Sequence, residues 1–325
     1  MTTYKGIRGI TLRTVAGDIS PVALGDIWYN NVARVIKVGK TQAGAWATST
    51  AINTARCSMA GFGIATAALV TGGDNGGPTD VAITETWNGS SWTEVGDLNE
   101  ARMHLNGAGT TTAGLAFGGY DGSSKGDLSE EWNGTAWTEG NDMPVAKQQH
   151  GGTGTQTAAL SIGGVATGTV DTSEEYDGTN WTAGGSLNAA VKDPMGSGTQ
   201  TAGMAIGGGP PFQTKNEAYD GSSWTEVADL NTARAAGAAD GTNTASIAVG
   251  GDAGPGNDNN AETWNGTAWT AEANVPTGLS IQNFCVGTTT SALAGGGIDP
   301  GPTSVTAETY DWTGETVVAA EVTSS

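Results

Sequence analysis

The sequence predicts an all-β protein assembled from six copies of one four-stranded unit, and three observations carry that expectation. Short runs of Ala, Val, Ile and Thr alternate with Gly, Asn and Asp turns, and almost no window of 15 residues shows an apolar stripe at helical period. Paired glycines close a short apolar run at Gly72-Gly73, Gly118-Gly119, Gly163-Gly164, Gly207-Gly208, Gly250-Gly251 and Gly295-Gly296, at spacings of 46, 45, 44, 43 and 45. An aromatic followed by Asn or Asp recurs in step at Trp87, Trp132, Tyr176, Tyr219, Trp264 and Tyr310. In the first five copies a Trp-Thr pair follows five residues later, at Trp92, Trp137, Trp181, Trp224 and Trp269, and Trp46 precedes the array at the same phase.

Residues 102–140 show how one unit is read. Arg102 to Gly109 is the innermost strand, Thr112 to Gly119 the second, Leu128 to Trp132 the third and Ala136 to Glu139 the fourth. Asn133-Gly134 between the last two is a tight-hairpin signal, expected to place both central residues at positive φ. A sheet of this size cannot bury both faces alone, so copies must stack, and the closed solution is a β-propeller of six blades. Ring closure can use the C-terminal strand or the segment Trp46 to Thr50. The second is favoured because its wording matches the repeated outer strand.

The double glycine, the Glu-x-aromatic-Asn/Asp-Gly and the following Trp resemble the kelch repeat family, over about residues 46–322. The resemblance implies a six-bladed kelch-like β-propeller. It also implies that the repeated Glu85, Glu130, Glu174, Glu217, Glu262 and Glu308 are structural, making buried ties within or between blades. Arg56, Arg102, Lys147, Lys192 and Arg234 are their candidate partners. The glycines are expected where backbones crowd or φ is positive, since no copy continues as a phosphate-binding loop.

Composition narrows the function. The chain has 325 residues, 33 acidic against 13 basic, for a net charge of −20, the wrong sign for phosphate backbones or an anionic membrane. No apolar run spans a bilayer, and Met1 to Val15 lacks the core of an export signal, so a chain without signal peptide or membrane insertion is expected. Cys57 and Cys285 are too few for a disulfide framework and are read as core residues. His104 and His150, the only histidines, cannot ligate a copper or zinc centre between them. No catalytic residue, metal or cofactor is therefore expected; the Asp/Asn-rich loops offer oxygens of the kind calcium takes, but none has the spacing of a calcium loop.

Recognition is expected in the loops between second and third strands, which differ most between copies. The candidates are Tyr120, Asp121, Pro210, Pro211, Phe212, Asp252 and Asp258, with the apolar Pro210-Pro211-Phe212 the sharpest. Residues 1–45 form a separate arm, set against a propeller at 46–325. The arm carries six basic residues and two acidic ones, and Gly25 to Val38 reads as a hairpin turning at Asn30-Asn31. That hairpin resembles the Gly-Asp-x-Trp-Tyr-Asn segments near the N-termini of bacteriophage tail-fibre and other virion proteins. The repeated wording "WNGTAWTE" and "LNTAR" is similar to predicted tail proteins of marine phages.

The resemblance implies a non-catalytic virion protein. Its arm would dock to other virion proteins through Trp28, Tyr29, Arg34 and Lys37, and its loops would bind a host surface glycan or protein. A purely structural virion component (tail tube, nozzle or capsid decoration) and a glycan-active enzyme using propeller-face carboxylates are the alternatives, and a homo-oligomer on the particle is compatible with the first two.

Overall fold

The computed structural model describes residues 12–77, 79–209, 211–254, 259–276, 279, 282–298 and 304–322. Among them every regular element is a strand, and the strands form seven four-stranded sheets, a propeller-like all-β architecture. Contacts divide the chain into one unit of residues 46–313 and a smaller one of 1–45 with 314–325.

In the larger unit the inner strands are Ala60–Ile64, Asn106–Thr110, Gly151–Thr155, Met195–Thr199, Ala238–Thr242 and Phe284–Thr288. Each packs against the inner strands of the neighbouring sheets, and the sixth packs against the first. The close approach needs small residues. A Cβ on Gly107 would lie 2.6 Å from the Phe62 ring, and one on Gly196 would lie 2.6 Å from the carbonyl of Gly152. In the second sheet, Asn106–Thr110 pairs with Ala113–Phe117, then Ser129–Trp132, then Trp137–Glu139, each pair antiparallel. This is the strand order the repeat implies.

Between sheets the core is aromatic and aliphatic. Trp132 and Trp137 face each other at 5.3 Å, and equivalent pairs lie 4.8 to 5.5 Å apart in the other sheets. The outer Trp also reaches the preceding sheet: the Trp137 indole N–H donates to the Thr84 hydroxyl and that of Trp181 to the Ser129 hydroxyl. The repeated aromatics thus supply both packing area and the directional bonds between neighbours.

The sixth sheet runs Phe284–Thr288, Ser291–Gly295, Thr309–Thr313 and then Ala45–Thr48, so the N-terminal strand containing Trp46 completes it. Trp46 packs on Trp312 at 5.2 Å, taking the role that the outer Trp has elsewhere. The repeat phase here differs from expectation. Trp312, with its N–H on the Thr289 carbonyl, stands where Trp132 stands with its N–H on Thr111, so Tyr310 is not the repeat aromatic. The sixth glycine pair at positive φ is Gly296-Gly297, one residue later than read.

Two other expectations change. The hairpin turns are not two-residue turns: opposed Trp132 and Trp137 leave four residues between them, and only Gly134 is at positive φ. The Asn133 carboxamide oxygen accepts the amides of Thr135 and Ala136, so a side chain closes the turn. The C-terminal strand Thr316–Glu321, assigned to the propeller by its position in the chain, pairs instead with Val35–Gln42 in the smaller unit. That sheet runs Arg13–Val15, Ile27–Asn30, Val35–Gln42, Thr316–Glu321, with the first pair parallel, so the hairpin is part of a four-stranded sheet.

Candidate functional site

Six residues, each 14 before the first glycine of its structural pair, form a ring at one end of the inner strands: Ser58, His104, Gln149, Asp193, Ala236 and Gln282. All six are non-glycine residues at φ between 52° and 58°. Their backbones are joined head to tail. His104 N–H donates to the Ser58 carbonyl, Gln149 to His104, Asp193 to Gln149, Ala236 to Asp193, Gln282 to Ala236 and Ser58 to Gln282. Left-handed φ is costly for a residue with a Cβ, and it is held here because each residue's N–H and C=O are both engaged by the ring.

The side chains make a second polar layer over this mouth. Ser58 Oγ donates to Gln282 Oε1 at 2.7 Å, Gln282 Nε2 lies 2.9 Å from His104 Nε2, and Gln149 Nε2 donates to Asp193 Oδ2 at 3.1 Å. Gln282 donates to His104 Nε2, which puts the imidazole proton on Nδ1. Burial lowers His104 to about 4, with Lys192 adding to the effect, so the ring is neutral at pH 7. Burial raises Asp193 to about 6 against the opposing pull of Lys192 and Gln149. His150, one position further along its repeat, is buried against Phe117 at 5.4 Å; burial and then Lys147 hold it down at about 3.

The cavity under the ring holds about 80 Å³, room for a few waters. A second polar carboxyl, Asp240, lies deeper among the inner strands, where burial raises it to about 6 while the amides of Gly287 and Gly241 pull the other way. Both thiols are free and buried, with burial pushing Cys285 well up, so neither is a ready nucleophile. The described residues contain no group of three His, Cys, Asp or Glu placed to hold a metal.

The raised Asp193 has a consequence for stability. A carboxyl raised in the folded chain binds its proton more tightly there than in the unfolded chain. Its stabilising contribution is complete below about pH 4 and is lost as pH rises through about 6. Asp193→Asn keeps an acceptor for Gln149 and suits left-handed φ. The substitution is expected to raise stability at pH 7.5 by on the order of 2 kcal/mol and to leave it unchanged at pH 4, read as urea midpoints at the two pH values.

The loops leave from the same end. Backbone bridges join Cys57 to Asp74, Met103 to Tyr120, Gln148 to Val165, Lys192 to Gly209 and Ala235 to Asp252, tying each loop start to the residue beside the ring. Tyr120 is half-buried in its bridge. The Asp121 carboxylate accepts the amides of Ser123 and Ser124, which hold it far below the usual carboxylate range, so it closes its own turn. Asp252 does the same for Gly254. Pro211 is exposed, while Phe212 is half-buried and folded over Gly209 toward Gly254. Pro210 and Asp258 lie outside the described residues.

Four of the repeat glutamates sit in buried ion pairs. Arg56 reaches Glu85 at 2.5 Å, Arg102 reaches Glu130 at 3.1 Å, Arg234 reaches Glu262 at 2.9 Å, and Lys147 pairs with Glu174. The expected fifth pair does not form. The second glycine of each pair donates to the carbonyl of the cationic residue (Arg102, Lys147, Arg234, Arg56), and in the fourth sheet that residue is Val191. Lys192 is one position out of phase and lies 3.6 Å from Asp193 instead. Glu308 is exposed and one residue ahead of its strand; Tyr310 stands in the glutamate position, opposite Ala294 as Glu130 is opposite Ala116.

In the smaller unit Trp28 is 1% exposed and forms its core, which removes it from the expected docking surface. Tyr29 is half-buried, Lys37 is paired with Glu321 at 3.5 Å, and Arg34 is exposed. The exposed apolar side chains there are Leu24, Ile27, Val32 and Val322. The ring was missed in the sequence because its six residues share no single chemistry; only the constant distance to the glycines marks it.

Neither a protein-family model nor a curated sequence matches the chain. Among solved structures, one described as the structure of YjhT matches at a TM-score of 0.69 and 13% identity, covering 83% of this chain and 99% of that one. At that identity the likeness is one of fold: the chain has a propeller-like all-β fold in common with it.

Proposed function

We propose that residues 46–313 form a six-bladed kelch-like propeller that acts as a non-catalytic binding platform, and that the protein is a bacteriophage virion component, a tail fibre or tail part. The observation that carries the platform is the loop-bearing end. Five loops of unlike sequence start at backbone bridges beside one backbone-locked ring, which fixes their roots while leaving their tips free to differ. The site chemistry also favours binding over catalysis. The two imidazoles are neutral, and the Ser161 hydroxyl that lies 3.3 Å from His150 Nδ1 is fully buried, out of reach of a substrate at the mouth. The virion assignment rests on the hairpin Gly25 to Val38 and the wording of the repeats.

On this proposal the loops contact a host surface glycan or protein, and the smaller unit contacts other virion proteins through Leu24, Ile27, Val32 and Arg34. The test is adsorption. Purified protein is expected to bind susceptible cells and to compete with phage adsorption; absence of both discards the receptor assignment. Docking to particles is expected to weaken as salt rises from about 0.05 to about 0.5 M, because the exposed cations Arg34 and Lys40 contribute. Docking unchanged by salt would assign it to the three apolar side chains alone.

A further inference from the structure

We infer that the fourth sheet carries a binding site for a guanidinium group, at the place that a buried arginine fills in other sheets. The protein supplies its own comparison, because three sheets show what the slot holds when it is occupied. Arg56 donates to the Glu85 carboxylate and to the carbonyls of Thr54 and Val70. Arg102 donates to the carbonyls of Leu128 and Ala116 beside Glu130, and Arg234 to the carbonyl of Asn260 beside Glu262. The slot is therefore one carboxylate and up to three backbone carbonyls, a set that suits a planar, multiply donating cation.

Register transfers each of these acceptors to the fourth sheet. Ala205 lies opposite Glu217 as Val70 lies opposite Glu85 and Ala116 opposite Glu130. Lys215 accepts the Gly207 amide as Leu128 accepts that of Gly118 and Asn260 that of Gly250. The Glu217 carboxylate takes the amide of Asn188, as Glu85 takes that of Asn53, which makes Ala189 the counterpart of Thr54. The acceptors are all kept, and the cation is replaced by Val191.

The shorter side chain leaves space. Ala189, Val191, Ala205, Lys215 and Glu217 line one cavity of about 230 Å³. Among the described residues, Oε1 of Glu217, the atom that meets the guanidinium in the arginine-filled sheets, has only a contact of 3.2 Å from the Asn188 amide. No described Lys or Arg pairs with it. The neighbouring Lys215 ammonium is turned outward to Glu226 and Asp229. The sixth sheet shows that the protein can lose a slot cleanly, since there both members are replaced, by Leu279 and Tyr310. In the fourth sheet only the cation is gone, and the carboxylate faces the cavity.

The ligand is a guanidinium on a narrow stem, either a free small molecule or an arginine side chain presented by another protein. The inference does not depend on the virion assignment. It is tested by titrating the full chain with N-acetyl-arginine amide, with the neutral isostere N-acetyl-citrulline amide as control, following amide chemical shifts and heat.

Binding is expected to centre on Asn188, Val191 and Glu217, to be at least tenfold weaker for the citrulline compound and for Glu217→Gln, and to vanish in Val191→Arg, which supplies its own guanidinium. An extended Gly-Arg-Gly peptide binding tenfold tighter than the amide points to a partner's side chain, and equal affinity points to a free ligand. Arginine and citrulline amides bound equally, or binding retained in Val191→Arg, overturns the inference. Glu217→Gln and the citrulline control decide the question if Val191→Arg does not fold.

Discussion

Arg102→Ala is expected to destabilise the protein by about 3–5 kcal/mol, the range for removing one member of a buried ion pair. Arg102 is 1% exposed and Glu130 2%, so the orphaned carboxylate cannot be rehydrated without opening the sheet. The Asn99 amide and carboxamide would still donate to Glu130, but to its other oxygen. The same substitution at Arg234 or Arg56 should cost a similar amount, because each guanidinium is fully buried and meets the equivalent carboxylate. Urea unfolding of the three variants at constant m-value checks this.

The informative control is the double change Arg102→Leu with Glu130→Tyr. It reproduces the Leu279 and Tyr310 combination that the sixth sheet already uses, both members of which are buried. Apolar replacement of a whole buried pair is often neutral or stabilising, because two desolvation costs disappear along with the attraction. The double variant should therefore recover most of what the single variant loses. A double variant as unstable as Arg102→Ala would show that the pair contributes net stability rather than fixing which strands meet.

This contrast also marks what the sequence made legible. The strand order of each unit was readable because the apolar run and the double glycine punctuate every copy and the Asn/Asp-Gly turn five of the six. Trp46 was readable as the missing outer strand because its phase fits the Trp series. The glutamate partners were readable for Arg56, Arg102, Lys147 and Arg234, but not for the fourth copy, where Lys192 is one residue from the slot. A cation near the right spacing looks like a partner in sequence, and only the backbone bond from Gly164 identifies Val191 as the slot residue.

The sixth copy misled for a related reason. Tyr310-Asp311 imitates the repeat aromatic, whereas packing assigns that role to Trp312, whose partner Trp46 lies at the other end of the chain. The ring residues were hidden because what unites them is backbone conformation, which neither composition nor charge records.

Trp46→Ala is the second substitution expected to have a large effect, and it acts through chain ends rather than charge. Trp46 packs on Trp312 and donates its indole N–H to the Ala273 carbonyl at 2.9 Å, so its removal loosens the outer strand of the sixth sheet and that strand's tie to the fifth. The side chain is only half-buried, which places the loss below that of a core Trp, at about 2–3 kcal/mol. For a chain of this length that corresponds to a fall in Tm of roughly 3–5 °C.

Deleting residues 1–48 should do more. It leaves Thr309–Thr313 as an unpaired edge beside Thr50, whose carbonyl now accepts the Thr309 hydroxyl. Unpaired edges recruit strands from other chains, so the deletion is expected to produce oligomers by light scattering at concentrations where the intact protein shows none. Trp46→Phe keeps the ring contact and loses only the N–H bond, and should retain more than half of the stability lost in Trp46→Ala. If Trp46→Ala melts like the intact protein, the sixth sheet is held by its backbone pairing alone, and the N-terminal strand contributes register rather than packing energy.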